Sequence, residues 1–133
     1  MDGLREIASL EESRAARSGR GFSLVRIAPL GWRALESDLR ELERLIGAQV
    51  RKTDSVKLLP TRELAVVLVE AVDLAAQAPL GRLREALQRH PAVGVQWRMG
   101  WCSVGPGQRA TWQEAWRWAG TLLVADAAQP AAA

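Results

Sequence analysis

Arg51 and Asp54, three positions apart, open the stretch of this chain with most capacity for chemistry, residues 51–68. A guanidinium fork presents paired donors and a carboxylate presents acceptors, so the two side chains could converge on one polar or anionic ligand. An arginine and an aspartate at a helix-to-strand junction could equally cap a turn or form a surface ion pair worth little. Further along the same stretch, Pro60, Thr61, Arg62 and Glu63 make a polar tip between two apolar runs. Elsewhere the reactive residues are sparse. There is one cysteine, Cys102, and one histidine, His90. That excludes an internal disulfide framework, and no metal site is expected. With His90 at a different helix end, Cys102 has no activating partner in view and reads as a small strand residue. No catalytic residue stands out.

Six tryptophans accompany one phenylalanine and no tyrosine. Trp97, Trp101, Trp112 and Trp116 are expected to pack together as core. Trp118 and Trp32 are the candidates for a partner surface, because exposed tryptophan is favoured where proteins bind each other.

The elements that must position these residues follow from periodicity. Residues 3–17 space Leu4, Ile7 and Leu10 for a helix with one apolar stripe. Residues 22–28 read as a strand closed by Pro29 and Gly31. Residues 34–48 form a second helix, buried through Leu35, Leu39, Leu42, Leu45 and Ile46, with Ser37 or Asp38 as its cap. Residues 55–59 and Leu64–Val69 make a hairpin around Pro60 and Thr61. The alanine-rich span 71–78 is helical up to Pro79, and 79–90 is the clearer helix, ended by Pro91. Residues 93–101 alternate strictly, placing Val93, Val95, Trp97, Met99 and Trp101 on one face. A last helix, capped at Thr111 or the residue before it, runs to about residue 127, and 129–133 is a frayed tail.

The order predicts an α+β fold, a ferredoxin-like β-α-β-β-α-β antiparallel sheet with extra N- and C-terminal helices. With 133 residues the chain is one domain, residues 1–128, long enough to bury a real core. No run is long enough to span a membrane and the N-terminus is no secretory signal, so a cytoplasmic location is expected. The pI of about 10.0 hides a net charge of only +3, with arginines scattered among acids rather than gathered on one face. Nucleic-acid binding is therefore not the expected role.

In order and spacing these segments resemble the GGDEF domain, the diguanylate cyclase module with a nucleotidyl cyclase-like fold. Residues 22–33 resemble its first strand, written FSLLLIDLDHFK. Residues 51–68 resemble its hairpin, written RESDLVARYGGDEFAVLL, and 93–104 resemble the strand written VTVSIGVAS. The resemblance covers nearly the whole chain, but no single motif is intact. It implies a relative of enzymes that join two GTP molecules into cyclic di-GMP across a dimer. The metal-binding aspartate of the first strand corresponds to Ala28 and the strand's second aspartate to Leu30, and neither residue can hold Mg²⁺. The paired glycines correspond to Pro60 and Thr61, and the acidic pair to Arg62 and Glu63. Arg51 and Asp54 match the family's inhibitory RxxD motif, which implies contact with the guanines and phosphates of cyclic di-GMP.

The function expected is thus a catalytically inactive GGDEF-like regulatory or protein-interaction domain, not an enzyme, with no cofactor. Its partner is a protein, a neighbouring domain or a second copy. One alternative is a cyclic di-GMP receptor using Arg51 and Asp54. Another is an RNA-binding ferredoxin-like domain, against which the lack of aromatics in Leu64–Val69 counts. A residual enzyme acting on another nucleotide is the last.

Overall fold

The structure is a computed structural model, described here for residues 3–29, 35–89, 97–107 and 111–121. Eight elements follow in chain order: α1 (Gly3–Ser18), β1 (Phe22–Pro29), α2 (Glu36–Gly47), β2 (Ser55–Leu58), β3 (Leu64–Val69), α3 (Gln77–Gln88), β4 (Trp97–Val104) and α4 (Trp112–Thr121). The strands form one antiparallel sheet in the order β2-β3-β1-β4. This is the ferredoxin-like order expected from the sequence. The two central strands are the most apolar, because each must meet helices on both faces.

The two faces carry separate cores. Val25, Ile27, Leu64, Val66 and Leu68 turn toward α2 and α3 and meet Leu42 and Leu83. Phe22, Leu24, Ala65 and Val67 turn the other way, toward α1 and α4, and meet Leu4 and Trp112. The sheet is thus the middle of three layers, with no open face. The continuous apolar run of β3 is a consequence, since both of its side-chain sets are buried.

Several local expectations change. The buried stripe of α1 is Leu4, Ala8, Glu11 and Ala15, and Leu10 is 51% exposed. Small alanines let the helix lie close to the sheet, so methyl groups define its inner side better than leucines do. Helix α2 begins at Glu36, not at a Ser37 or Asp38 cap. Asp38 sits inside the first turn and accepts from the Leu35 N–H at 3.0 Å, the reaching-back half of a capping box. Pro79 does not interrupt a helix. A single 3-10 turn, Asp73–Ala76, leads into α3, and Pro79 lies in the first turn of α3, where its missing N–H has no intrahelical partner to lose. Strand β4 runs to Val104, past the 93–101 alternation and to the end of the segment that resembles the family's strand, while Val93 and Val95 lie outside the described residues. The expected end of the last helix near residue 127 and the tail 129–133 also lie outside them.

The four tryptophans expected in one core are divided between two. Trp97 and Trp101 share a parity on β4 that faces α2 and α3. Trp112 and Trp116 come from α4 on the opposite face. Strand alternation dictates this split once α4 is placed.

Candidate functional site

The hairpin tip is built by Leu59, whose N–H donates to the Glu63 carbonyl at 2.8 Å, and by Arg62, whose N–H donates to the Leu59 carbonyl at 2.9 Å. Pro60 suits the leading position of such a turn, and Arg62 takes the left-handed position at φ 69°. The turn closes without a glycine. Beside it stands Arg26, on the same face of β1 as Phe22 and Leu24. Its Nε donates to Glu63 Oε2 at 2.9 Å and its Nη2 to Glu63 Oε1 at 3.2 Å. Its Nη1 donates to the Trp116 carbonyl at 3.2 Å, and its Cζ lies 4.7 Å from the centre of the Trp116 ring. Thr61 Oγ1 also donates to Glu63, at 3.1 Å. Both side chains of the ion pair are largely buried, 23% and 15% exposed.

The described residues at this place offer a divalent cation no free carboxylate. Ala28 presents a buried methyl group and both Glu63 oxygens are already held by a guanidinium. Leu30 lies outside the described residues. Among the described residues no group of three His, Cys, Asp or Glu side chains could hold a metal ion.

Arg51 and Asp54 do come together, but they differ in exposure. The Asp54 side chain is 3% exposed and that of Arg51 58%, so only the arginine stands at the surface. Asp54 Oδ1 accepts from the Val69 N–H at 2.8 Å and Oδ2 from the Arg51 N–H at 2.9 Å. The carboxylate therefore splices the turn before β2 to the end of β3, a structural duty the spacing alone does not reveal. The Arg51 guanidinium makes longer contacts to Asp54, 3.4 and 3.5 Å, and Nη2 donates to the Val69 carbonyl.

Arg51 and Asp54 line a cleft of about 230 Å³ with Glu70, Ala71, Pro79 and Arg82. Arg82, from the solvent side of α3, escaped the sequence reading. The inward spacing of Leu80, Leu83 and Leu87 turns residue 82 outward, but only the packing of α3 beside the end of β3 brings it to Arg51. On the β1 side of this region Arg20 and Glu70 pair at 2.9 Å, and Glu70 and Asp73 hold positive φ values of 59° and 51°.

Trp118 is 58% exposed and lines a hollow of about 360 Å³ with Glu114, Arg117 and Thr121. Trp32, the other partner-surface candidate, and His90 lie outside the described residues. Cys102 is half-buried, and burial pushes its thiol up from the ordinary range, the opposite of an activated nucleophile. Among the described residues no helix is long and apolar enough to cross a membrane.

No model of a known protein family matches the chain, and no curated protein sequence does. Solved structures do match. A diguanylate cyclase from Thermotoga maritima superposes with a TM-score of 0.75 at 14% identity, over 90% of this chain and 90% of that one. The diguanylate cyclase SiaD from Pseudomonas aeruginosa, solved in complex with its activator SiaC, gives 0.74 at 19% identity. There the match covers 90% of this chain but spans only about half, 51%, of SiaD. The FimX GGDEF domain from Pseudomonas aeruginosa gives 0.70 at 16% identity, over 88% and 83% of the two chains. Strand order, helix placement and these superpositions agree: the chain has the fold of the GGDEF, diguanylate cyclase, domains.

Proposed function

We propose that this is a non-catalytic GGDEF-like domain that regulates signalling by contact with another protein. The observation that carries the reading is the Arg26–Glu63 pair. A side-chain cation of the chain itself occupies the carboxylate at the hairpin tip, and the neighbouring strand position, Ala28, offers no oxygen. Phosphoryl transfer needs a cation held against the triphosphate, and an alanine with a carboxylate already bound to an arginine is a poor ligand set for one. SiaD, solved with its activator, contains a domain of this fold, and exposed Trp118 supplies an apolar anchor of the kind protein contacts use. The test is incubation of the purified chain with GTP and Mg²⁺ followed by chromatography. No cyclic di-GMP above a protein-free control is expected, and turnover above it would overturn the reading.

One observation favours cyclic di-GMP reception as a second reading: Arg51 and Arg82 line one cleft, and two guanidinium forks suit guanine edges or phosphates. Against it, Asp54 is committed to backbone N–H groups. Calorimetric titration of cyclic di-GMP into wild type, Arg51→Ala and Arg82→Ala decides; heat lost in both variants supports reception, and no heat in wild type removes it. The RNA reading has no support in the architecture, since both sheet faces are covered by helices.

A further inference from the structure

On the sheet face that carries Arg26 and α4, a second arginine is left over. Arg98 stands on β4 directly across from Ala28 of β1, and its Nε is buried with no hydrogen-bond partner. Among buried side-chain nitrogens and oxygens of the described residues it is the one so stranded. A guanidinium N–H withdrawn from water without an acceptor is costly, and an oxyanion is the acceptor that fits its side edge best. Across the strand Ala28 has only a methyl group, and Glu63, on the other side of β1, already gives its carboxylate to two bonds from Arg26.

We propose that Arg98 anchors an oxyanion site that works without a metal ion, with a small phosphate or carboxylate group as its ligand. The site is separate from the Arg51 and Arg82 cleft and does not depend on whether that cleft binds a dinucleotide. In a metal-dependent phosphate site carboxylates hold a cation and the cation holds the anion. Here an arginine faces an alanine, so the anion can be gripped by the side chain itself.

Calorimetry in EDTA tests this, with inorganic pyrophosphate and succinate as the two probes. Wild type is expected to bind at least one of them, with affinity unchanged when EDTA is replaced by Mg²⁺. Arg98→Gln should weaken binding at least tenfold. Ala28→Asp places a carboxylate across from Arg98 and should weaken it to a similar degree while its thermal midpoint does not fall below that of wild type. Arg51→Ala should bind as wild type does. Stronger binding of pyrophosphate assigns the site to phosphates, and stronger binding of succinate assigns it to carboxylates. No heat with either probe, equal affinity in Arg98→Gln, or loss in Arg51→Ala instead would overturn the proposal.

Discussion

Asp54 and Arg51 look equivalent in the sequence and have opposite duties in the fold. Asp54→Ala would strand the N–H groups of Arg51 and Val69, which it accepts at 2.9 and 2.8 Å. Leaving such donors unmade should cost about 2 kcal/mol, read as a lower urea midpoint at unchanged slope. Arg51→Ala removes a side chain that is 58% exposed, so its cost should stay below about 1 kcal/mol. Equal losses from the two substitutions would mean that the carboxylate is not the splice described here. The spacing of the two residues marked the place correctly. What it could not show is Val69, fifteen positions away from Asp54, because that contact exists only once β2 and β3 are paired. Glu63 is similar: its survival in the acidic pair was legible, but its capture by Arg26 required the hairpin tip to be laid beside β1.

Two helix glycines separate propensity from packing. A Cβ at Gly81 of α3 would meet nothing within 4 Å, whereas one at Gly120 of α4 would come 2.5 Å from Arg26 Nη1. Gly81→Ala should therefore stabilise by about 1 kcal/mol, the ordinary helix gain. Gly120→Ala should show no such gain in thermal melts, because Arg26 is pinned by Glu63 and cannot step aside freely. Helix α4 also carries a titratable start. Thr111 and Glu114 exchange bonds, the Thr111 N–H to Glu114 at 2.9 Å and the Glu114 N–H to Thr111 Oγ1 at 3.2 Å. The bond from the Thr111 backbone holds the Glu114 carboxyl below the usual carboxylate range. A depressed acid stabilises the fold above its unfolded pKa, and that increment is lost as pH falls through the folded value. The stability gap between wild type and Glu114→Gln should accordingly be present at neutral pH and close in acid. This cap was readable from Thr111 and its spacing. The cap of α2 was not, since Leu35 has no side-chain acceptor and only Asp38, from inside the helix, reaches back. The inner stripe of α1 was misread for a related reason: alanine carries little hydrophobic signal although close helix-to-sheet packing favours it.

Across the whole molecule the strand order was legible because each strand has its own pattern and each connection its own length. The division of the tryptophans was not, because it depends on which face of the sheet α4 covers. That division sets the outcome of truncation. Trp112, 6% exposed beneath α4, should cost about 3–5 kcal/mol when replaced by alanine. Trp116 is only half-buried, so its removal should cost less. Trp118→Ala should leave the urea midpoint nearly unchanged yet weaken capture of a protein partner; a large loss of stability would show that Trp118 is part of the core. The central place of β1 has a temporal consequence. Its neighbours are β3 and β4, with Phe22 aligned to Val69 on one side and Val104 on the other. Both arrive long after it as the chain is made. Until residue 104 has emerged, the side of β1 that β4 will pair stays an open edge, and Phe22 and Leu24 wait longer still for their cover by α4, a stretch on which a nascent chain can aggregate or recruit a chaperone. The short-range β2–β3 hairpin can close early, while the β1–β4 seam, tied at its far end by Ser23 and Ser103 at 3.2 Å, must wait for loop closure across most of the domain. Pulse-labelled hydrogen exchange during refolding should find amides of β2 and β3 protected first and those joining β1 to β4 last.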